Sequence, residues 1–89
     1  MNYLKDLSIK YNIQILPQDE LVIYPKIGNK YNLSWANKRG MVWILDYING
    51  DTVRMITPKT KKVLETKTMY LRETNKNILA NARKRINRQ

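Results

Sequence analysis

The chain has 89 residues, with 17 lysines and arginines against 7 aspartates and glutamates, a net charge of +10. It contains no cysteine and no histidine, which excludes disulfides, thiolate metal sites and a cysteine nucleophile, and removes the commonest general base and metal ligand. A chain this short supports one small core, burying roughly 60–65% of the surface its unfolded form exposes.

The charge is uneven. Residues 1–25 are near neutral, whereas the excess of lysine and arginine runs from residue 26 to the C-terminus. A basic chain with this asymmetry has the electrostatic footprint expected of a nucleic-acid binder. Lysine, asparagine, isoleucine and tyrosine make up 37 of the 89 residues. Their codons are A/T-rich, as in phages and some bacteria.

Residues 3–11 predict a short helix, with Tyr3, Leu4, Leu7 and Tyr11 at helical spacing. Asn2 is its expected cap, and Asn12 its left-handed terminator. A helix this short needs a surface to dock on, and the expected surface is a sheet. Residues 13–16 and 21–24 are short apolar runs on either side of a turn at Pro17-Gln18-Asp19-Glu20, readable as an edge pairing or as extended segments closing a barrel. Pro25 bars the second run from a central position.

From Lys30 the pattern is that of a meander, with short strands at about ten-residue spacing. Residues 31–36, 41–48, 52–57 and 62–68 read as strands, and residues 69–72 as a turn or closing strand. Both faces of Met41–Leu45 are apolar, which marks the central strand. Val53 and Met55 share one face of the next strand, with Arg54 and Ile56 on the other. Asn49-Gly50 suits a type I′ hairpin turn, which needs positive φ at both central residues. Residues 75–88 predict an amphipathic helix with Ile78, Leu79, Ala82 and Ile86 on one face, Asn75 as its cap, and cations gathered near its C-terminus.

The run Gly40-Met41-Val42-Trp43-Ile44, followed by Asn49-Gly50-Asp51-Thr52-Val53-Arg54-Met55, resembles the core of SH3-like small barrels, the KOW and Tudor-like groups most closely. The likeness extends over residues 30–72. It implies an SH3-like small barrel; the N-terminal segment of about 25 residues and the basic C-terminal helix depart from the minimal barrel, so the expected fold is mainly β with flanking helices, a short N-terminal helix and a basic C-terminal helix. It also implies a binding role, toward nucleic acid or protein. The expected organisation is a single domain, with residues 1–25 as helix and extended segments, 26–73 as barrel and 74–89 as basic helix.

In a meander, alternate turns lie at one end of the sheet. The turns at 37–40 and 58–61 are therefore expected as neighbours, with Asn49-Gly50 at the opposite end. Lys38, Arg39, Lys59, Lys61 and Lys62 would then form one basic rim able to hold phosphates without reading sequence. Arg54 and the helix cations Arg83, Lys84, Arg85 and Arg88 join them as candidates. Aromatic rings among cations can stack on bases. Tyr31 is expected as an exposed ring, Trp35 is divided between surface and core, and Trp43 is expected in the core, with Tyr47 on its side of the strand by parity.

Catalysis has little support. The carboxylates are scattered, none at metal-ligand spacing, and no glycine-rich phosphate loop occurs. The first expectation is therefore a non-enzymatic nucleic-acid-binding protein without cofactor, favouring double-stranded DNA over RNA. The alternative is a phage or mobile-element interaction module docking on an acidic host protein, and a third reading is a structural accessory of a ribosome-like or virion particle. No apolar run approaches the ~20 residues needed to cross a bilayer, and the N-terminus lacks signal-peptide character. The expected location is cytoplasmic, with no membrane partner.

Overall fold

The computed structural model describes residues 3–35 and 41–87. They form a mixed helix and sheet structure. Helix α1 spans Tyr3–Tyr11 and α2 spans Asn75–Asn87. Between them lie β1 (Lys30–Leu33), β2 (Trp43–Asn49), β3 (Thr52–Ile56), β4 (Val63–Lys67) and β5 (Leu71–Arg72). The sheet order is β4-β3-β2-β1-β5, with every neighbouring pair antiparallel. The doubly apolar strand β2 is central, as its sequence predicts. Among the described residues no helix is long and apolar enough to cross a membrane.

The sheet core joins Tyr31, Leu33, Leu45, Val53, Met55 and Leu71, with Val22, Trp43, Ile48 and Leu64 packed against it. All five strands therefore contribute to one cluster. No ladder joins β4 to β5 among the described residues, so the sheet is open. It nevertheless curls: the Trp35 indole N–H, just past β1, donates to Thr66 Oγ1 of β4 at 3.3 Å.

The hairpin turn lies one residue further on than expected. Asn49 pairs with Thr52, so the loop is Gly50-Asp51. Positive φ occurs at Gly50 (62°) and not at Asn49, the pattern of a type II′ turn. The cause is a bulge between Leu45 and Tyr47. Leu45 and Ile48 both pack into the core, three residues apart, which strict alternation forbids. The extra residue Asp46 makes it possible and resets the register by one.

Helix α1 follows its predicted span. It ends in a Schellman motif: Asn12 has φ 51°, Ile13 N–H donates to Ser8 O (3.1 Å), and Asn12 N–H donates to Ile9 O (3.3 Å). The cap expected at Asn2 lies outside the described residues. The docking surface differs from the expectation. Leu7 packs with Ile15, Ile78, Leu79 and Ala82, so α1 lies against α2 rather than on the sheet. Two amphipathic helices bury their stripes against each other and form a second small core. Ile86, expected on that stripe, is exposed.

Residues 13–16 form no strand, and residues 17–20 form a 3-10 turn in which Asp19 Oδ2 accepts the Leu16 N–H at 2.9 Å. Residues 21–24 contribute one bridge, Leu21 to Arg72, on the outer side of β5. Thr74, not Asn75, caps α2: its Oγ1 accepts the Asn77 N–H at 3.4 Å, and its carbonyl accepts the Ile78 N–H at 2.9 Å.

Candidate nucleic-acid interface

Strand register gathers lysines at one end of the sheet. Lys30 pairs with Ile44, Ile44 with Ile56, and Ile56 with Val63, so these four residues form one row. Beyond that row lie residues 57–62 of the β3–β4 connection and residues 41–42 leading into β2. Lys30, Met41, Val42, Pro58, Lys59 and Thr60 line a common cleft of about 500 Å³, with Thr57 at its base.

The connection is an ordered loop. Thr57 is buried, and its Oγ1 hydrogen-bonds Thr60 Oγ1 (2.6 Å) and accepts the Lys62 N–H (2.9 Å). Its backbone N–H donates to Lys62 O, and its carbonyl accepts the Lys61 N–H, both at 3.0 Å. Pro58 restricts φ after Thr57. Lys61 adopts the left-handed conformation, φ 59°, which costs a residue with a Cβ roughly 1–2 kcal/mol. The backbone that carries Lys59, Lys61 and Lys62 is thus fixed, while their side chains are exposed. Among the described residues none of these three, nor Lys30, has an ion-pair partner.

Lys38 and Arg39, the other half of the expected rim, lie outside the described residues, as does Arg88. The chain emerging from that segment, Met41-Val42, lies in the same cleft as the 57–60 loop. The residues at Gly50-Asp51 belong to the far end, where Thr68 N–H donates to Asp51 O at 2.8 Å.

Most acidic groups are already matched. Arg54 binds Asp46, Nη2 to Oδ2 at 2.8 Å, and its guanidinium lies 5.2 Å from the Tyr47 ring centroid. The bulge brings both partners to Arg54. Lys67 faces Asp51 at 3.8 Å, and Arg72 faces Glu20 at 4.0 Å. Glu73 is half-buried; burial pushes its carboxyl above the ordinary carboxylate range, and a hydrogen bond from Asn77 acts in the opposite sense. One end of the sheet therefore carries lysines without carboxylates, while the Gly50-Asp51 end is balanced.

The helix cations divide. Arg83 and Lys84 are exposed. Arg85 is not a solvated cation. Its guanidinium grips both carboxylate oxygens of the buried Asp19 and donates to Gln14 O at 2.7 Å. Asn81 Nδ2 adds a bond to Asp19 O at 3.0 Å. Arg85 fastens α2 to the 3-10 turn, and its planar fork is suited to that bidentate role.

Tyr31 overturns the expectation of an exposed ring. It is 3% exposed, and its hydroxyl accepts the Lys26 N–H at 2.9 Å. Both faces of β1 are covered, so Tyr31, Asn32 and Leu33 are all buried and no alternation exists to place a ring outside. Trp35 is half exposed. Trp43 is half-buried against the sheet core, as predicted, but Tyr47 does not share its side: the bulge turns Tyr47 outward to Arg54. Lys30 is the member of the cleft that the sequence reading missed. Its signal was available in the meander itself, since a residue opening β1 lies beside the end of β3.

Comparisons of the chain with protein-family models, curated proteins and solved structures find no match.

Proposed function

We propose that this protein is a non-enzymatic nucleic-acid binder that holds the phosphate backbone of duplex DNA at the lysine end of its sheet. The observation that carries the reading is the charge separation along the strands. Lys30 and Lys59 line one cleft, and Lys61 and Lys62 follow Lys59 on the same hydrogen-bonded loop, whereas Arg54 and Lys67 are matched by Asp46 and Asp51. Lys38 and Arg39, three and two residues before Met41 in sequence, extend the set, and Arg83, Lys84 and Arg88 of the C-terminal segment supply a second contact.

The type of cation supports backbone holding over base reading. Lysine is a hydrated point charge, while bidentate recognition of guanine is chiefly an arginine task. Three of the four described arginines, Arg54, Arg72 and Arg85, are engaged by carboxylates within the fold. Duplex is favoured over single strand because single-strand binders stack successive bases on exposed rings, and no aromatic ring among the described residues lines the lysine cleft. The strand order, with β5 returning to β1, and the Trp35–Thr66 contact support an SH3-like barrel, open between β4 and β5.

The four lysines alone, each neutralising one phosphate, predict a slope of log K against log salt of about −3.6 or steeper, at least on the order of a hundredfold weaker binding between 50 and 200 mM salt. Fluorescence anisotropy with random duplex, single-stranded DNA and RNA across a salt series tests this. Duplex is expected to bind most tightly, with that slope. Absence of binding at the lowest salt refutes the proposal.

A further inference from the structure

We propose that the floor of the lysine cleft, formed by Met41, Val42 and Pro58, selects DNA over RNA by packing on the sugar and rejecting the ribose 2′-hydroxyl. This selection rests on the phosphate-holding role proposed above and adds to it a choice between the two nucleic acids.

The cleft has two kinds of wall. Lys30 and Lys59 supply charge, while Met41, Val42 and Pro58 supply apolar surface. That surface is not part of the fold's interior: neither core cluster includes Met41 or Val42, and Met41 is 41% exposed. The remaining lining side chains are Thr57 and Thr60, whose hydroxyls are bonded to each other at 2.6 Å. Thr57 Oγ1 also accepts the Lys62 N–H at 2.9 Å, and the Thr57 carbonyl accepts the Lys61 N–H at 3.0 Å. Pro58 has no N–H to offer. The threonine hydroxyls are thus occupied within the loop, and a group seated between the lysines meets methyl, methylene and thioether surface.

The lining determines which part of a nucleic acid fits. Bases are read by arginine, asparagine, glutamine or carboxylate side chains, or stacked on aromatic rings. None of these is among the described residues that line the cleft. Lysines hold phosphates. Along either kind of strand the group between successive phosphates is the sugar, so an apolar floor between two lysines faces the sugar. The ribose 2′-hydroxyl is both donor and acceptor. Pressed on Met41, Val42 and Pro58, it gives up water and finds no partner, which is unfavourable. Deoxyribose carries a methylene there and loses no hydrogen bond. The bonds that fix the 57–62 loop keep the floor from rearranging to supply one.

The test uses the full chain and labelled duplexes of a single G·C-only sequence, made as DNA, as RNA, and with 2′-fluoro sugars, which take the helical form of RNA without its hydroxyl. A sequence without thymine removes contact with the thymine methyl group as a cause. By anisotropy at low salt, DNA is expected to bind roughly tenfold or more tightly than RNA, with the 2′-fluoro duplex close to DNA. Met41→Gln, at an exposed position, supplies a partner for the hydroxyl. It is expected to tighten RNA binding by about threefold or more and to leave DNA binding and the thermal transition unchanged. A merely structural Met41 gives no gain in RNA affinity on replacement. Pro58→Ser carries the same expectation and serves if Met41→Gln is poorly folded. A 2′-fluoro duplex rejected as strongly as RNA overturns the selection, because helical form is then being read. So does an unchanged ratio of DNA to RNA affinity in the folded variants. RNA bound as tightly as DNA by the parent chain overturns the selection and leaves phosphate holding intact; absence of duplex binding in the parent chain refutes phosphate holding and the selection with it.

Discussion

Arg85→Met isolates what the C-terminal cations do. In the folded chain the Arg85 guanidinium holds both oxygens of Asp19, which is 4% exposed, and also the Gln14 carbonyl. Methionine keeps an unbranched apolar stem and removes all three bonds, leaving the Asp19 carboxylate buried with the Leu16 N–H. Breaking a buried pair from one side costs about 3–5 kcal/mol. The Arg85 side chain is one quarter exposed, so solvent screens part of that, and about 2–3 kcal/mol is expected. For a chain this size the melting temperature falls by about 10–20 °C, read by circular dichroism. Asp19→Leu combined with Arg85→Met removes both charges, so the double variant is expected to be more stable than Arg85→Met alone. If Arg85→Met melts within about 2 °C of the parent while duplex affinity falls, Arg85 is a phosphate ligand and the fastening role is wrong.

Two further outcomes follow from local geometry. Lys61→Gly relieves the left-handed strain at φ 59° and, after the extra chain entropy of glycine, is expected to stabilise by about 0.5–1 kcal/mol in urea unfolding; destabilisation contradicts the loop assignment. Glu73 binds its proton more tightly folded than unfolded, so the folded state loses stability as pH rises past the ordinary carboxylate value toward the raised one. Glu73→Gln is expected to raise the melting temperature at pH 7 and not at pH 4, and an equal gain at both would rule out ionisation as the cause.

Elements whose pattern is local were legible in the sequence. The helix 3–11 and its Asn12 terminator, the central strand with two apolar faces, and the Val53/Met55 inner face all follow from spacing. What escaped depends on partners distant in the chain. Whether Tyr31 is buried depends on what covers the second face of β1, and a four-residue strand with both faces covered has no alternation to read. The bulge at Asp46 arises because Leu45 and Ile48 must both reach one core, and a single inserted residue then moves the turn to Gly50-Asp51 and swings Tyr47 to Arg54. Arg85 looked like one more cation on a basic helix, since its partner lies 66 residues earlier. Helix α1 was expected on the sheet because its apolar stripe records only that something covers it, not that α2 does. At the candidate site, the 58–62 lysines were visible as a charged turn, whereas Lys30 joined them only through strand register.

The most direct test of the lysine cleft is the salt dependence of duplex binding in Lys59→Gln, Lys61→Gln, Lys62→Gln combined. Each lost phosphate contact removes about 0.9 from the slope, so the triple variant is expected to flatten log K against log salt by about 2.7 while the fold is retained. An unchanged slope in a folded triple variant would show that this end of the sheet does not touch the phosphates.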